Sequence, residues 1–202
     1  LKQTSLMKLW KRQKQSMHKL VEWNENLDLS EFYAKAEGRG FVNNASQKVM
    51  IDCFRNEREW NVWILYENDT AIGSVAAHSF DDVMGPNSYR ILTRVCTFGD
   101  ARPHNGLVKA HRLCAEHQNL TDQFLLPACL EWTKGKGRVY ATSNKSKEGS
   151  QRLVHSIYFP TLAKVGVVSK IKEVHYRHTD QTVWEIHPDK FYANLELYPR
   201  WV

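Results

Sequence analysis

The order of strand and helix patterns is the feature that most restricts the fold of this chain. Two alternating stretches, Asn61–Tyr66 and Thr70–Phe80, flank a turn at Glu67–Asp69 and predict a β-hairpin. Another strand, Tyr89–Phe98, follows, and a helical region leads from it to the strand Arg138–Ser143. Strands joined through a helix pair in parallel, with a right-handed crossover. The sequence therefore predicts two parallel strands inside a mostly antiparallel sheet, and few folds contain that combination.

Helices and a second hairpin are predicted on either side of this centre. Their ranges are a helix over Ser30–Glu37, a helix that begins at Ser46, a long helix over Gln151–Lys164, and the strands Val167–His178 and Thr182–His187. Asp28 or Ser30 can cap the first helix, and Gly38 would end it. The second hairpin is expected to turn at Asp180-Gln181. We therefore predict an α+β domain over residues 28–202.

The net charge of +6 is concentrated in the first residues of the 202-residue chain. Residues 1–20 contain no acid and six basic residues: Lys2, Lys8, Lys11, Arg12, Lys14 and Lys19. Apolar residues recur between them at helical spacing, so residues 1–27 are predicted as a basic amphipathic helix packed on the domain. An arm for an anionic membrane or nucleic acid is the alternative. The remaining residues are neutral in sum, which gives no indication of a nucleic-acid surface.

Cysteine spacing and hydropathy indicate an intracellular protein. Cys53, Cys96, Cys114 and Cys129 are widely spaced and form no C-x-x-C pair, which is typical of thiols in a reducing compartment. No apolar run approaches the roughly 20 residues that cross a bilayer. We therefore expect a cytoplasmic protein without a membrane span.

The predicted order resembles the GNAT acyl-CoA N-acyltransferase superfamily over residues 28–187. The resemblance implies a central parallel strand pair that splays apart and receives the pantetheine arm of acyl-CoA. It also implies a loop, Q/R-x-x-G-x-G/A, that binds the pyrophosphate at a helix N-terminus. The matching segment here is Arg102-Pro103-His104-Asn105-Gly106-Leu107. Arg102 fits the first position of the family pattern, whereas Asn105 stands at the position of the first glycine and Leu107 at that of the final small residue; Gly106 lies at the unspecified position between them.

Further cofactor-binding and catalytic residues follow from the same resemblance. Backbone N–H groups of Cys96, Thr97 and Phe98 would polarise the thioester carbonyl, and Asn144 would contact the cofactor. Tyr158 would protonate the leaving thiolate, although the family's usual tyrosine position falls on Leu162, one helical turn later. A general base is also required, and His78 is our candidate because its ordinary pKa lies near neutral pH.

Two other arrangements of reactive side chains are less consistent with the sequence. Cys96 can be a nucleophile, but a lone cysteine in a strand is more often a small buried hydrophobe. His111, Cys114 and His117 have metal-like spacing, yet a helix would point the two histidines in different directions. We therefore predict no metal site.

The predicted function is transfer of an acetyl or other acyl group from CoA to the amine of a small molecule or peptide. The resemblance implies direct attack by the amine, without a covalent enzyme intermediate. A homodimer is compatible with the sequence. The alternative is a GNAT-shaped binding or regulatory protein that has lost CoA, and Pro103 and Leu107 favour it.

Overall fold

In the part of the chain that the structure describes, seven strands form one mixed sheet with helices on both faces. The computed structural model describes residues 18–38, 45–97, 121–145 and 154–197. The strands are β1 His18–Glu22, β2 Trp60–Glu67, β3 Thr70–Ser79, β4 Ser88–Thr97, β5 Arg138–Asn144, β6 Val168–Tyr176 and β7 Thr179–Ile186. The helices are α1 Ser30–Gly38, α2 Gln47–Asp52, α3 Asp81–Met84, α4 Leu126–Thr133, α5 Phe159–Lys164 and α6 Pro188–Leu197. Two π-helical turns, Thr121–Leu125 and Val154–Tyr158, lead into α4 and α5.

The strand order is β1-β2-β3-β4-β5-β7-β6. All neighbouring strands are antiparallel except β4 and β5, which are parallel. The α+β class and the single parallel pair predicted from the sequence are thus confirmed. None of the helices within the described ranges is long and apolar enough to cross a lipid bilayer.

Alternating side chains along the strands separate two apolar layers. On β2, Trp63 and Leu65 pack with residues of α4 and α5, whereas Val62 and Ile64 pack with residues of α1 and α2. All four are buried, and burial of each apolar side chain contributes about 1.5–3 kcal/mol. We refer to the two sides of the sheet as the α4–α5 face and the α1–α2 face.

The N-terminal helix prediction is wrong where it reaches residues 18–22. These residues form β1, which pairs with β2 at the edge of the sheet, with Leu20 opposite Leu65. A five-residue stretch of mixed apolar and charged residues fits both the helical and the strand period, and the edge of β2 supplies backbone partners that a surface helix lacks. The predicted helix over residues 1–17 lies outside the described residues.

The turn of the second hairpin is also corrected. Arg177 and His178 form it, with φ of 48° and 68°, while Asp180 and Gln181 belong to β7. Two consecutive residues with positive φ are what a tight two-residue hairpin requires. The Gln181 side chain stabilises this turn, because its amide donates to the Tyr176 carbonyl at 3.1 Å.

Candidate active site

The strands β4 and β5 pair only over their first three residues. The pairs are Ser88–Arg138, Tyr89–Val139 and Arg90–Tyr140. Beyond them β4 remains paired with β3 as far as Thr97, and β5 with β7 as far as Asn144. No β4–β5 ladder pair joins residues 91–97 to residues 141–144. The parallel strands therefore diverge toward their C-terminal ends, and we call the space between them the strand gap.

Two bulges in β4 produce this divergence. The Cα partners of β3 and β4 at the irregular steps are His78–Arg90, Ala76–Thr93 and Ser74–Cys96, so that β4 uses three residues for every two of β3. Leu92 and Arg94 take up the extra length, each with φ of 54°. A bulge bends its strand and increases the local twist. Such a conformation costs about 1–3 kcal/mol for a residue with a side chain, and it is concentrated at functional sites.

Several residues expected to bind the cofactor lie at the strand gap. Thr97 ends β4 and Asn144 ends β5, on the two sides of the gap. The Cys96 side chain is buried in the α1–α2 layer and is not in a disulfide. Phe98, Arg102, Asn105 and Gly106 lie outside the described residues, as do His111, Cys114 and His117.

The helical segment after β5 carries Tyr158 and places a histidine near the end of that strand. Tyr158 is half-buried, and its ring centre lies 5.3 Å from that of Phe159. His155 Nδ1 lies 2.9 Å from the hydroxyl of Ser143, which also accepts a 2.8 Å hydrogen bond from the Trp184 indole. Burial, assisted by the charges of Lys145 and Lys170, lowers the pKa of His155. This His155–Ser143 pair was not predicted, because nothing in the sequence indicates that the two residues meet.

His78 is completely buried on the α1–α2 face. Its Nδ1 lies 2.7 Å from the Ser79 carbonyl oxygen and 3.2 Å from Glu57 Oε2. Since a carbonyl can only accept, Nδ1 carries the proton, and the neutral ring presents a bare lone pair at Nε2. Among the described residues this buried Nε2 atom has no hydrogen-bond partner. Burial, together with the charge of Arg90 and against the opposing effect of Glu57, lowers the pKa of His78.

The buried His78 predicts a loss of stability in acid. The folded state holds His78 neutral, whereas the unfolded chain protonates it below its ordinary pKa of 6.5. The unfolded state therefore binds more protons, and the free energy of unfolding should fall as the pH drops below about 6.5, by up to about 1.4 kcal/mol per pH unit. Urea denaturation of the parent and of His78→Phe between pH 5 and pH 8, roughly the range of histidine titration, measures this slope.

The matched control for this titration is His175→Gln. His175 lies on β6 with most of its side chain exposed, and water screens its 2.9 Å contact with Asp180, so its removal should change the slope much less than His78→Phe does. His78→Phe should flatten the slope even if it lowers the absolute stability. An unchanged slope in His78→Phe would contradict the neutral, buried state assigned to His78.

Arg90 and Arg94 were not predicted as functional residues. Both lie inside the otherwise apolar stretch YRILTRVCTF of β4, and buried arginines in a central strand are rare unless they are paired. That pattern was the signal available in the sequence. The structure places Arg90 at the last pair before the strands diverge.

A small cavity lies near the start of β4. It has a volume of about 100 Å³ and is lined by residues that include Arg58, Ser79 and Asp81. Ser79 ends β3 and Asp81 follows it, while Arg58 lies just before β2, which pairs antiparallel with β3. Glu57 and Tyr176 also line the cavity, and they contact His78 and Arg90 respectively, so the cavity lies beside the closed end of the strand gap.

No model of a protein family matches the sequence, and no curated protein matches it. The fold, in contrast, has clear structural relatives. FdhC, described as a nucleotide-linked sugar GNAT, is 16% identical with a TM-score of 0.52, and the match covers 90% of this chain and 93% of FdhC. FeeM, an N-acyl amino acid synthase from uncultured soil microbes, is 7% identical with a TM-score of 0.53, over 89% of this chain and 96% of FeeM.

A third structure is an uncharacterized protein from Bacillus halodurans, which is 10% identical with a TM-score of 0.55 over 89% of this chain and 88% of that protein. At these identities the likeness establishes the fold alone. Together with the mixed sheet and its one parallel pair, it shows that this chain has the GNAT fold.

Proposed function

We propose that this protein is an acyl-CoA-dependent N-acyltransferase that acts on an amine. The observation that carries the proposal is the end of β4–β5 pairing after Arg90 and Tyr140. Strand edges present rows of backbone N–H and C=O groups, which pair readily with another extended chain. The pantetheine arm of CoA contains two amide groups and can pair with such edges. The residues at the strand gap therefore fit this cofactor.

The pyrophosphate is assigned to the segment 102–107. In our proposal Arg102 pairs with a phosphate, and backbone N–H groups of Asn105 and Gly106 donate to its oxygens. Asn144 contacts the pantetheine arm from the end of β5. Backbone N–H groups of Cys96, Thr97 and Phe98 polarise the acyl carbonyl.

The chemical step needs a base for the amine and an acid for the leaving thiol. When bound, acyl-CoA supplies a thioester, whose carbon forms a bond to the amine nitrogen while its bond to sulfur breaks. His78 Nε2 removes the amine proton, because this nitrogen of the neutral imidazole carries a lone pair that accepts no hydrogen bond from the described residues. Tyr158 donates its phenolic proton to the departing sulfur. Both protons are thereby accounted for, and no covalent enzyme intermediate is required.

Acetyl is the proposed acyl group, the acceptor is the amine of a small molecule or peptide, and the cytoplasm is the proposed location. The acyl group and the acceptor follow from the resemblance of the sequence pattern and from the fold, and the location follows from the widely spaced cysteines.

The test is thermal denaturation with acetyl-CoA. A ligand that binds only the folded state at one hundred times its dissociation constant stabilises it by about 2.7 kcal/mol, which corresponds to a rise in Tm of roughly 5–10 °C. Arg102→Ala should weaken binding about tenfold or more, and Leu107→Gly should maintain or strengthen it. Arg138→Ala is the matched control, because Arg138 is exposed on β5, 3.8 Å from Glu185.

The proposal fails if millimolar acetyl-CoA leaves the Tm of the parent and of Leu107→Gly unchanged. The chain would then be a GNAT-shaped binding protein. Equal losses of affinity in Arg102→Ala and Arg138→Ala would indicate unspecific charge attraction and not a pyrophosphate site.

A further inference from the structure

Three arginines converge where the parallel strands separate, and we call Arg90, Arg94 and Arg177 the arginine group. Arg90 and Arg177 lie against the same ring, with their guanidinium carbons 5.1 Å and 5.2 Å from the ring centre of Tyr176. Arg177 also donates to the Cys53 carbonyl at 3.4 Å, and Arg94 lies beside the Cys53 thiol. The tip of the β6–β7 hairpin and the end of α2 thereby enclose this group over the α1–α2 face.

The described surroundings of Arg90 contain no negative partner for it. Its Nη2 donates to the Thr142 hydroxyl at 2.6 Å and to the Gln181 side-chain oxygen at 3.3 Å, and both acceptors are uncharged. Glu57 contacts Arg177 at 2.8 Å and shares the Nδ1 proton of His78. Burial, together with the charges of Arg177 and Arg94, lowers the pKa of Arg90 to about 10, so Arg90 remains a cation at neutral pH.

Three buried polar atoms on this face lack partners among the described residues: His78 Nε2, Arg90 Nε and Thr93 Oγ1. They point to the same side of the sheet, because Arg90 is opposite His78, Thr93 is opposite Ala76, and alternate residues of β3 share a face. The His78 and Thr93 side chains are both more than nine-tenths buried. Buried polar groups are nearly always satisfied, so unsatisfied neighbours of this kind indicate a missing ligand.

The chemistry of the three atoms defines what that ligand carries. Arg90 Nε–H is a charged donor, and the Thr93 hydroxyl can donate from the same face of β4, which suits the two oxygens of a carboxylate. His78 Nε2 is an acceptor one strand away and suits the N–H of an amine. Donors for an anion and an acceptor for an amine thus occur at neighbouring positions of one sheet face.

We propose that Arg90, with Thr93, binds a carboxylate of the acyl acceptor, and that the acceptor is therefore an amino acid. The identification of this ligand as the acyl acceptor rests on the proposed function. The carboxylate would balance the charge of Arg90, and the amine would lie against His78 at the start of the strand gap. Phosphate-bearing amines share the anionic chemistry, and the experiment separates them.

Binding is measured by calorimetry without CoA, using glycine, β-alanine, L-leucine and L-phenylalanine, their carboxamides, and phosphoethanolamine. At least one amino acid should bind about tenfold or more tightly than its carboxamide, because a hydrogen bond to a charged group is lost in the amide. The proposal is overturned if every carboxamide binds as well as its acid, if phosphoethanolamine binds most tightly, or if no amino acid binds at millimolar concentration.

Variants locate the site within the protein. Arg90→Gln and Thr93→Val should each reduce the preference for the acid over the amide by about tenfold or more. Arg138→Gln, which removes an exposed arginine from the neighbouring strand, should leave the preference unchanged. Thr93→Val keeps the side-chain shape and removes a hydroxyl without a described partner, so its Tm should hold or rise. It therefore decides the question if Arg90→Gln does not fold, and a retained preference in Thr93→Val would then refute the assignment.

Parallel titrations with acetyl-CoA distinguish this inference from the proposed function. Suppose that Arg90→Gln and Thr93→Val still prefer the acid over its carboxamide and that acetyl-CoA still binds. This result refutes the carboxylate site and leaves the acyltransferase function standing. Absent acetyl-CoA binding in a protein that still prefers amino acids through Arg90 refutes only the acyltransferase function.

Discussion

Gly137→Ala should destabilise the protein by about 3 kcal/mol or more, which corresponds to a fall in Tm of roughly 6 °C or more. Gly137 precedes β5, and a Cβ atom built on it would overlap the Asn87 backbone carbonyl. That carbonyl accepts the 3.0 Å hydrogen bond from Arg138 N with which β5 begins. The substitution therefore disrupts the first of the three pairs that join β4 to β5. Urea and thermal denaturation measure the loss.

Gly135→Ala is the matched control, two residues earlier in the same loop. Gly135 has φ of 74°, but a Cβ atom there meets nothing within 4 Å. Only the left-handed conformation is penalised, at about 1–2 kcal/mol. Equal losses of stability in Gly137→Ala and Gly135→Ala would contradict the close backbone approach inferred at Gly137.

Phe159→Ala should cost about 3–5 kcal/mol and lower the Tm by roughly 6–20 °C. Phe159 is 1% exposed, and its ring stacks on that of Trp184 with centres 5.4 Å apart and an angle of 10°. It holds the segment that carries His155 and Tyr158 against the sheet. The loss follows from the cavity left by the ring and from the lost aromatic contacts.

Val165→Ala tests whether any apolar truncation near α5 has the same effect. Val165 follows α5 and is 37% exposed, so its truncation should change the free energy of unfolding by less than about 0.5 kcal/mol. A loss of stability in Val165→Ala as large as that in Phe159→Ala would show that apolar contacts at the surface, and not the stacked ring, stabilise the segment.

Local signals were sufficient to predict much of the sheet. The alternation of apolar residues predicted β2 and β3 to within one residue, and Asn68 takes the positive φ of 55° that a tight hairpin turn needs. Ser46 caps α2 as predicted, because its hydroxyl accepts from Val49 N at 3.1 Å. The helix between β4 and β5 predicted their parallel pairing through a general rule of chain connection.

Features that depend on several distant contacts were not predictable. β1 exists because β2 offers an edge, and no pattern within residues 18–22 excludes a helix. The short helix α3 and the terminal helix α6 were not predicted. The chemistry at the strand gap was missed for the same reason, since Arg90 meets Tyr176 and His155 meets Ser143 only after the hairpin and α5 have folded back on the sheet.

The short β4–β5 ladder has a consequence for how the chain folds. The β2–β3–β4 meander and the β6–β7 hairpin close over short stretches of sequence, which is the kind of contact that forms quickly. β5 pairs with β7 over five residues and with β4 over three, and the latter contact connects distant parts of the chain. Loop closure therefore makes docking of the two halves the slow event, and the three-residue ladder completes it. Contacts formed after the transition state govern the unfolding rate, so we expect a ladder that forms last to influence how long a folded molecule persists.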